Sequence, residues 1–199
     1  MIRRLFARLR QDREGAAIVE FALLLPVLMV MLMGLLDLAY NMYTAQMLQG
    51  AIQNAARKST IEGAAGNEAQ LDGIVTTAVR TIAPTAALTF QRKAYSNFSS
   101  VNRPEDYTDS NGNGTCDANE PFEDANGNGS WDLDPGNAGF GGARDAVLYT
   151  VTVDFPRAFP VFKFIPGQTA NYTMTATTVL RNQPFGASEG GAPAIGNCT

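Results

Sequence analysis

Oxygen-bearing side chains alternate with small residues in the stretch DSNGNGTCDANE, from Asp109 to Glu120. This order matches a twelve-residue calcium loop, which takes oxygen ligands at places 1, 3, 5, 9 and 12 and a backbone carbonyl at place 7. Glycine at place 6, here Gly114, lets the chain reverse so that a closing glutamate can reach the ion. The predicted ligands are Asp109, Asn111, Asn113, Thr115, Asp117 and Glu120.

A second stretch, DANGNGSWDLDP, begins at Asp124 and repeats the opening of the first loop. Its place 12 is Pro135, so this loop must borrow Asp134, a neighbouring acid or water to close a site. Calcium, as one or two ions, is the predicted cofactor, and extracellular loops of this kind bind it at about 10⁻⁴ to 10⁻³ M. The alternative is that the Asn-Gly steps are only turn formers in a solvated loop. The predicted ligands here are Asp124, Asn126, Asn128, Ser130 and Asp132.

Charge is distributed unevenly along the 199 residues. Residues 104–143 contain nine acids and no Lys or Arg, which disfavours nucleic acid as a partner and favours a solvated loop or divalent cations. The chain has no histidine and no serine or cysteine in a nucleophile motif, so we expect neither an enzyme nor a small-molecule substrate. Two cysteines, Cys116 and Cys198, can pair as a disulfide or remain separate thiols.

An apolar segment from Ala16 to Leu36 contains one ionisable residue, Glu20. At about 1.5 Å per residue it spans roughly 30 Å, the thickness of a bilayer core. Five arginines precede it, which predicts a cytoplasmic N-terminus and an exported C-terminal portion. No signal-peptide cleavage pattern follows, and apolar residues continue at helical spacing to about Lys58. The stripe predicted to lie against a soluble domain is Leu38, Met42, Ala45, Leu48, Ile52 and Ala55.

The exported portion is predicted to be an α+β domain. A second helix is expected over residues 67–83, because apolar residues recur there at helical spacing before a proline. The expected fold is a small antiparallel β-sheet packed on the amphipathic half of the long helix, with an acidic insert at 104–143. The Gly-, Ala- and Pro-rich tail, 186–199, is expected to be flexible. The predicted strands are 86–94, 147–155, 172–180 and a short edge strand at 159–165.

Glu20 is anomalous, since an ionised carboxylate in hydrocarbon costs on the order of 3 kcal/mol. One interpretation is that Glu20 reaches the headgroups or takes up a proton. The other is that it has a specific partner. The neighbouring residues favour the second, because Gly15 ends the charged segment, Glu20 is fifth counting from Ala16, and Phe21 follows directly.

This arrangement resembles the processing site of type IV prepilins and pseudopilins, which a prepilin peptidase cuts after the glycine, leaving a glutamate fifth and often an aromatic sixth. Within that class, residues 13–60 closely resemble the TadE-like pseudopilins of the tight-adherence (Flp pilus) system. Their N-termini read as glycine, small residues, VEFAL, a proline and an amide-rich helix before a basic pair, here Arg57 and Lys58. The resemblance returns weakly at 175–185.

The resemblance implies a minor pseudopilin, cleaved between Gly15 and Ala16, that takes part in assembly or initiation of the pilus. It implies a single-pass protein of the bacterial inner membrane with a cytoplasmic N-terminus and a periplasmic C-terminal domain, which can pass into an extracellular pilus. The implied partners are the prepilin peptidase, the inner membrane and other pilin subunits, contacted through the N-terminal helix. Glu20 would meet the new amine of Ala16 in a neighbouring subunit, which sets register.

Four segments follow from these expectations: a basic leader peptide at 1–15, a transmembrane and amphipathic helix at 16–60, a periplasmic or extracellular domain at 61–185 and the tail. Two alternatives remain open. The insert can act as a calcium-dependent adhesion or binding module at the membrane or pilus tip. The chain can also be an uncleaved signal-anchored protein in which Glu20 and Phe21 have no role in assembly.

Overall fold

The computed structural model describes residues 14–61, 68–142, 145–181 and 193–199. Most of the predicted leader and much of the predicted tail lie outside these residues. Short 3₁₀ turns cover Phe98–Ser100 and Val161–Lys163. The helices and strands in chain order are α1 (Glu14–Ile61), α2 (Glu68–Arg80), β1 (Ala87–Tyr95), β2 (Pro121–Asp124), β3 (Asn137–Ala138), β4 (Ala146–Pro156), β5 (Asn171–Arg181) and β6 (Ala194–Asn197).

The predicted α+β fold class, a long N-terminal helix with an antiparallel sheet, is confirmed. Strands β3, β1, β4 and β5 form a sheet in that order. β1 runs antiparallel to β4 along its whole length, with Ala87 opposite Asp154 and Tyr95 opposite Ala146. A separate two-stranded antiparallel pair joins β2 to β6. The two helices and three long strands fall within a few residues of their predicted positions, because each has a strong local periodicity.

The described residues form two compact units, one within residues 14–43 and 156–172 and the other within residues 44–155 and 173–199. In the second unit, alternate residues of β4 are buried, as expected for a strand with one face on a core. The other buried apolar residues repeat at three- or four-residue spacing on the helices. The core includes Leu48, Ile52 and Ala55 of α1, Leu71, Val75 and Val79 of α2, and Val147, Val151 and Val153 of β4.

A polar cluster fastens α2 to the sheet. The Arg92 guanidinium forms an ion pair with Asp72 and lies 4.8 Å from the centre of the Tyr149 ring and 4.9 Å from that of Phe140. The Tyr149 hydroxyl donates a hydrogen bond to Asp72 at 2.8 Å. Burial, followed by this bond, raises the pKa of Tyr149 well above its ordinary value. The cluster therefore fixes α2 on the sheet with charges that neutralise each other.

In the first unit, the N-terminal part of α1 is long and apolar enough to cross a membrane, and no other helix among the described residues is. Its most apolar 18-residue window has a mean hydropathy of 2.5 and no buried residue. Such a continuous exposed apolar surface is rare on a soluble monomer. The large exposed side chains are Ile18, Val19, Phe21, Leu23, Leu24, Val27, Leu28, Met29, Met31, Leu32, Leu35 and Leu36.

Three sequence expectations are wrong. The predicted edge strand at 159–165 is a 3₁₀ turn, because Pro160 and Pro166 interrupt strand pairing. The tail is not flexible throughout, since β6 pairs with β2. The apolar stripe of α1 is correct from Leu48 onward, but Leu38 and Met42 are more than half exposed. The residues buried before Leu48 are the polar Asp37, Asn41 and Thr44.

Candidate assembly helix and calcium loops

The first predicted calcium loop is organised around the carboxylate of Asp109. One oxygen accepts hydrogen bonds from the backbone N–H of Gly112 at 2.6 Å and Asn113 at 3.2 Å, and the other accepts from Gly114 at 2.8 Å. The φ angles of Gly112 and Gly114 are +75° and +80°, which side chains with a Cβ rarely adopt. The Gly114 bond is the largest contribution that lowers the pKa of Asp109, because it stabilises the charged carboxylate.

The other predicted ligands of this loop converge on Asp117. The side-chain amide of Asn111 donates to Asp117 Oδ2 at 3.0 Å, and that of Asn113 donates to the same oxygen. The Thr115 hydroxyl in turn donates to Asn113 Oδ1 at 2.7 Å. The bonds from Asn111 and then Asn113 lower the pKa of Asp117. The spacing read from the sequence therefore brings these side chains to one point.

The second loop repeats the backbone and amide hydrogen bonds of the first loop. Asp124 takes the place of Asp109, and Asp132 takes the place of Asp117. The backbone N–H of Ser130 donates to Asn128 Oδ1 at 2.7 Å, as that of Thr115 does to Asn113 Oδ1 at 2.8 Å. The donors to Asp124 are the backbone N–H groups of Gly127 at 2.7 Å, Asn128 at 3.1 Å and Gly129 at 2.8 Å. The donors to Asp132 are the amides of Asn126 at 2.7 Å and Asn128 at 2.6 Å.

The two loops are closed by buried glutamates, each 4% exposed. Glu120 closes the first loop, because its two carboxylate oxygens accept from the backbone N–H of Ser110 at 2.8 Å and Asp117 at 3.0 Å. Glu105 closes the second loop in the same way. Its oxygens accept from Ala125 at 2.8 Å and Asp132 at 2.9 Å, the equivalent places of that loop.

Glu105 is the neighbouring acid that the second loop borrows, and sequence reasoning did not single it out. The signal was Pro135 at place 12, which left the loop without a glutamate of its own. Asp134, the other residue considered, lies elsewhere: it pairs with Lys93 and accepts from the Tyr95 hydroxyl at 2.7 Å. Desolvation raises the pKa of Asp134, but the bonds from Lys93 and Tyr95 outweigh it and lower that pKa overall.

Both loops present hard oxygen ligands of the kind that calcium takes. Within the described residues, however, no group of three or more His, Cys, Asp or Glu side chains is arranged to hold a metal ion. Glu120 was expected to chelate an ion, and in the structure it binds backbone N–H groups instead. In each loop the side-chain oxygens of the two aspartates and the two asparagines accept hydrogen bonds from N–H groups of the same loop.

A disulfide joins Cys116 in the first loop to Cys198 near the C-terminus, with the Cα atoms 5.7 Å apart. Two backbone hydrogen bonds support this connection: Cys198 N–H donates to Glu120 O at 2.9 Å, and Asn119 N–H donates to Cys198 O at 3.1 Å. Together with the pairing of β2 and β6, these bonds tie the end of the chain to the acidic insert.

The predicted assembly residues lie at the beginning of α1. Gly15, Glu20 and Phe21 are exposed, Phe21 by 59%, and Ala16 is in the same helix. Among the described residues, no hydrogen bond or ion pair involves the Glu20 carboxylate. Among the side chains that the structure describes at the start of the helix, Glu20 is therefore a carboxylate on an apolar surface.

A second acid of α1 has the opposite environment. The Asp37 side chain is buried and forms an ion pair with Arg157, and the amide of Asn41 donates to the same carboxylate oxygen at 3.2 Å. Arg157 also donates to Gln168 Oε1 at 2.8 Å and lies 5.2 Å from the centre of the Tyr172 ring. This pair joins residues 120 apart in the chain, and the local pattern gave no signal of it.

Comparison with known proteins supports the resemblance seen in the sequence. Residues 15–57 match the family model of TadE-like proteins, while no curated protein and no solved structure matches the chain. The match begins at Gly15 and includes Glu20, Phe21 and the basic residue Arg57. It ends before the sheet and the acidic insert. The similarity of this chain to TadE-like proteins therefore lies in its N-terminal segment, residues 15–57.

Proposed function

We propose that this chain is a minor pseudopilin that takes part in the assembly or initiation of a tight-adherence pilus. The observation that carries the proposal is the position of the TadE-like match, which begins at Gly15 and places Glu20 and Phe21 fifth and sixth after it. A prepilin peptidase cuts between Gly15 and Ala16 and removes the basic leader. The role is structural and not catalytic.

In this proposal the helix anchors the chain in the inner membrane before assembly. The arginines before residue 15 keep the leader in the cytoplasm, so the sheet and the insert lie in the periplasm. The exposed apolar surface of α1 contacts lipid before assembly. When the pilus forms, the same surface packs against the helices of other pilin subunits. Helices in a bilayer associate through packing and polar contacts, because lipid and apolar side chains are equally apolar.

Glu20 is the residue that gives this packing its register. After cleavage, the amine of Ala16 in one subunit neutralises the Glu20 carboxylate of its neighbour. A carboxylate in hydrocarbon without a partner costs on the order of 3 kcal/mol, so subunits offset from this pairing are disfavoured. The same requirement explains why an acid stands on the lipid-facing surface of an otherwise apolar span.

Replacing Glu20 by Gln tests this role. The variant is expressed from a plasmid in cells whose chromosomal copy of the gene is deleted, so that pili form only if the variant supports assembly. We expect Glu20→Gln to enter the membrane at the wild-type level and to abolish pilus assembly. Glu123→Gln is the matched control, because it removes an exposed carboxylate in β2 and should leave pili intact. Normal piliation with Glu20→Gln would refute the pairing.

We further propose that the two loops bind one or two calcium ions. The predicted ligands of each loop converge and both loops have the glycine conformations that calcium loops need. A bound ion supplies positive charge that offsets the nine acids of the insert. Calcium should raise the unfolding temperature of the full chain, and Asp109→Asn together with Asp124→Asn should remove that rise. An unchanged unfolding temperature in millimolar calcium would exclude the proposal.

A calcium-dependent adhesion module is the second candidate function, and the ordered structure of the insert favours it. The insert has buried glutamates, and a strand pair and a disulfide join it to the C-terminal residues 194–198. If it binds a target, Asp109→Asn with Glu120→Gln leaves fibres intact and reduces attachment. If it only stabilises the protein, the same substitutions reduce the protein level or the number of pili.

A further inference from the structure

The loop between β4 and β5, residues 157–170, exposes an apolar surface. The side chains of Phe164 and Ile165 are 57% and 39% exposed, and the Lys163 ammonium lies 6.0 Å from the centre of the Phe162 ring. The loop contains Arg157 and Lys163 but no acid, in a chain with 19 acidic residues. Aromatic residues next to basic ones are typical of segments at a membrane–water interface.

Arg157 holds this loop beside the end of the apolar run. Its guanidinium pairs with Asp37, the first ionisable residue after Leu36. It also donates from Nε to Thr169 O at 3.0 Å, and its backbone N–H donates to Ala170 O at 2.9 Å. Arg157 thus binds both ends of the loop to the helix at the level where the apolar run ends.

The burial of α1 differs between its faces near the end of the apolar run. Met33 and Gly34, one helical turn before Asp37 and on the same face, are half-buried. Leu35 and Leu36 on the other face are 62% and 46% exposed. Residues 156–172 are the only other described residues in the compact unit that contains this part of the helix. The contact that joins the loop to the helix is therefore the pair of Arg157 with Asp37, directly after the apolar run.

We infer that the β4–β5 loop is a second membrane contact, in which Phe164 and Ile165 enter the interfacial layer of the bilayer. Lys163 extends its ammonium to the lipid phosphates, as long basic side chains do at this depth. The inference rests on the proposed anchoring of α1 in a membrane. The loop would hold the exported domain at the bilayer surface until the subunit leaves the membrane.

Tryptophan placed in the loop reports its depth in the full chain reconstituted into bilayers with phosphatidylglycerol. Phe164→Trp is compared with Leu28→Trp in the span and with Leu133→Trp, whose parent residue is 73% exposed in the insert. The emission of the native Trp131 is subtracted using the wild type. We expect lipids brominated near the headgroup to quench Phe164→Trp strongly and Leu133→Trp hardly at all, while deeply brominated lipids quench Leu28→Trp.

The outcomes separate the inference from the anchoring on which it rests. Quenching of Leu28→Trp with none of Phe164→Trp overturns the loop contact and leaves the anchor in place. If neither Leu28→Trp nor Phe164→Trp is quenched, the membrane anchoring of α1 is refuted together with the loop contact. If Phe164→Trp becomes shielded from aqueous acrylamide only as the protein-to-lipid ratio rises, a second copy of the chain covers the loop and the inference is wrong. Lys163→Gln should shift the phosphatidylglycerol dependence of quenching to higher lipid charge.

Discussion

Acidic side chains occur in both the N-terminal helix and the acidic insert, but their burial and their hydrogen-bond partners differ between the two regions. Glu20 lies exposed on the apolar surface of α1, with no hydrogen bond or ion pair to another described residue. In the insert, Glu105, Glu120 and Asp124 are buried, and backbone N–H groups occupy their carboxylate oxygens. The insert thus satisfies these three carboxylates within the chain, whereas none of the described residues pairs with Glu20.

This difference separates Glu20, which we propose to act between molecules, from the acids whose carboxylates are satisfied within the chain. A buried charge that lacks a partner is strongly unfavourable, so an intrachain partner is needed wherever the chain itself buries an acid. Asp37 obeys this rule through Arg157. Glu20 does not, because its environment is completed by a bilayer or a neighbouring subunit in our proposal.

Asp37→Asn should cause the largest loss of stability, about 3 to 5 kcal/mol, because it leaves the Arg157 charge buried without its partner. Glu20→Gln, on the same helix, should leave stability unchanged. Denaturant unfolding of the full chain in micelles, monitored by near-ultraviolet circular dichroism, measures the free energy of unfolding of both variants. Equal effects of the two substitutions would contradict the distinction between the two acids.

Removing the disulfide should cost slightly less. The bond closes a sequence separation of 82 residues, and loss of a native disulfide typically costs about 2 to 5 kcal/mol. Cys116→Ser combined with Cys198→Ser, and the reduced wild type, should show the same decrease in denaturant midpoint. The effect should be confined to the insert and β6, so retention of amide protection there after reduction would be the contrary result.

Within the insert, Glu105→Gln and Glu120→Gln should each cost about 1 to 3 kcal/mol, because an amide can accept at only one of the two positions. Hydrogen exchange distinguishes them. Glu105→Gln should expose the amides of Ala125 and Asp132, and Glu120→Gln those of Ser110 and Asp117. If either substitution exposed the amides of both loops equally, the two glutamates would not close the two loops independently.

The smallest expected effect concerns the stability of the protein at low pH. The pKa values of Asp109 and Asp117 are lowered from 3.8 in the folded chain, so the unfolded chain binds protons first as pH falls. Their contribution is complete above the unfolded pKa and is lost as pH drops through the folded pKa. In buffer with a calcium chelator, the unfolding temperature of Asp109→Asn should therefore decrease less than that of the wild type between about pH 5 and pH 2. The exposed Asp106 gives the control Asp106→Asn, which should follow the wild type.

The sequence predicted the elements whose information is local. α1, α2 and the three long strands have periodicities that can be read within a short window, and the ligand spacing of the loops lies within twelve residues. What it did not predict depends on distant residues. Glu105 closes a loop from 20 and 27 residues away, and β6 pairs with β2, which lies about seventy residues earlier in the chain.

The error in the helix stripe has the same origin. Apolar spacing placed Leu38 and Met42 against the soluble domain, whereas the structure buries Asp37 and Asn41. A polar pair is buried there because Arg157, 120 residues later, supplies the countercharge. The edge strand failed for a local reason that could have been weighed more heavily, namely the prolines at both ends of the segment.

Cleavage after Gly15 is the step on which the assembly role of Glu20 depends, since only cleavage creates the Ala16 amine. The intact mass of the protein, purified from membranes of cells with and without the prepilin peptidase, tests it directly. We predict an N-terminus at Ala16 when the peptidase is present and an N-terminus at Met1 when it is absent. A chain that begins at Met1 in cells with the active peptidase would contradict the account.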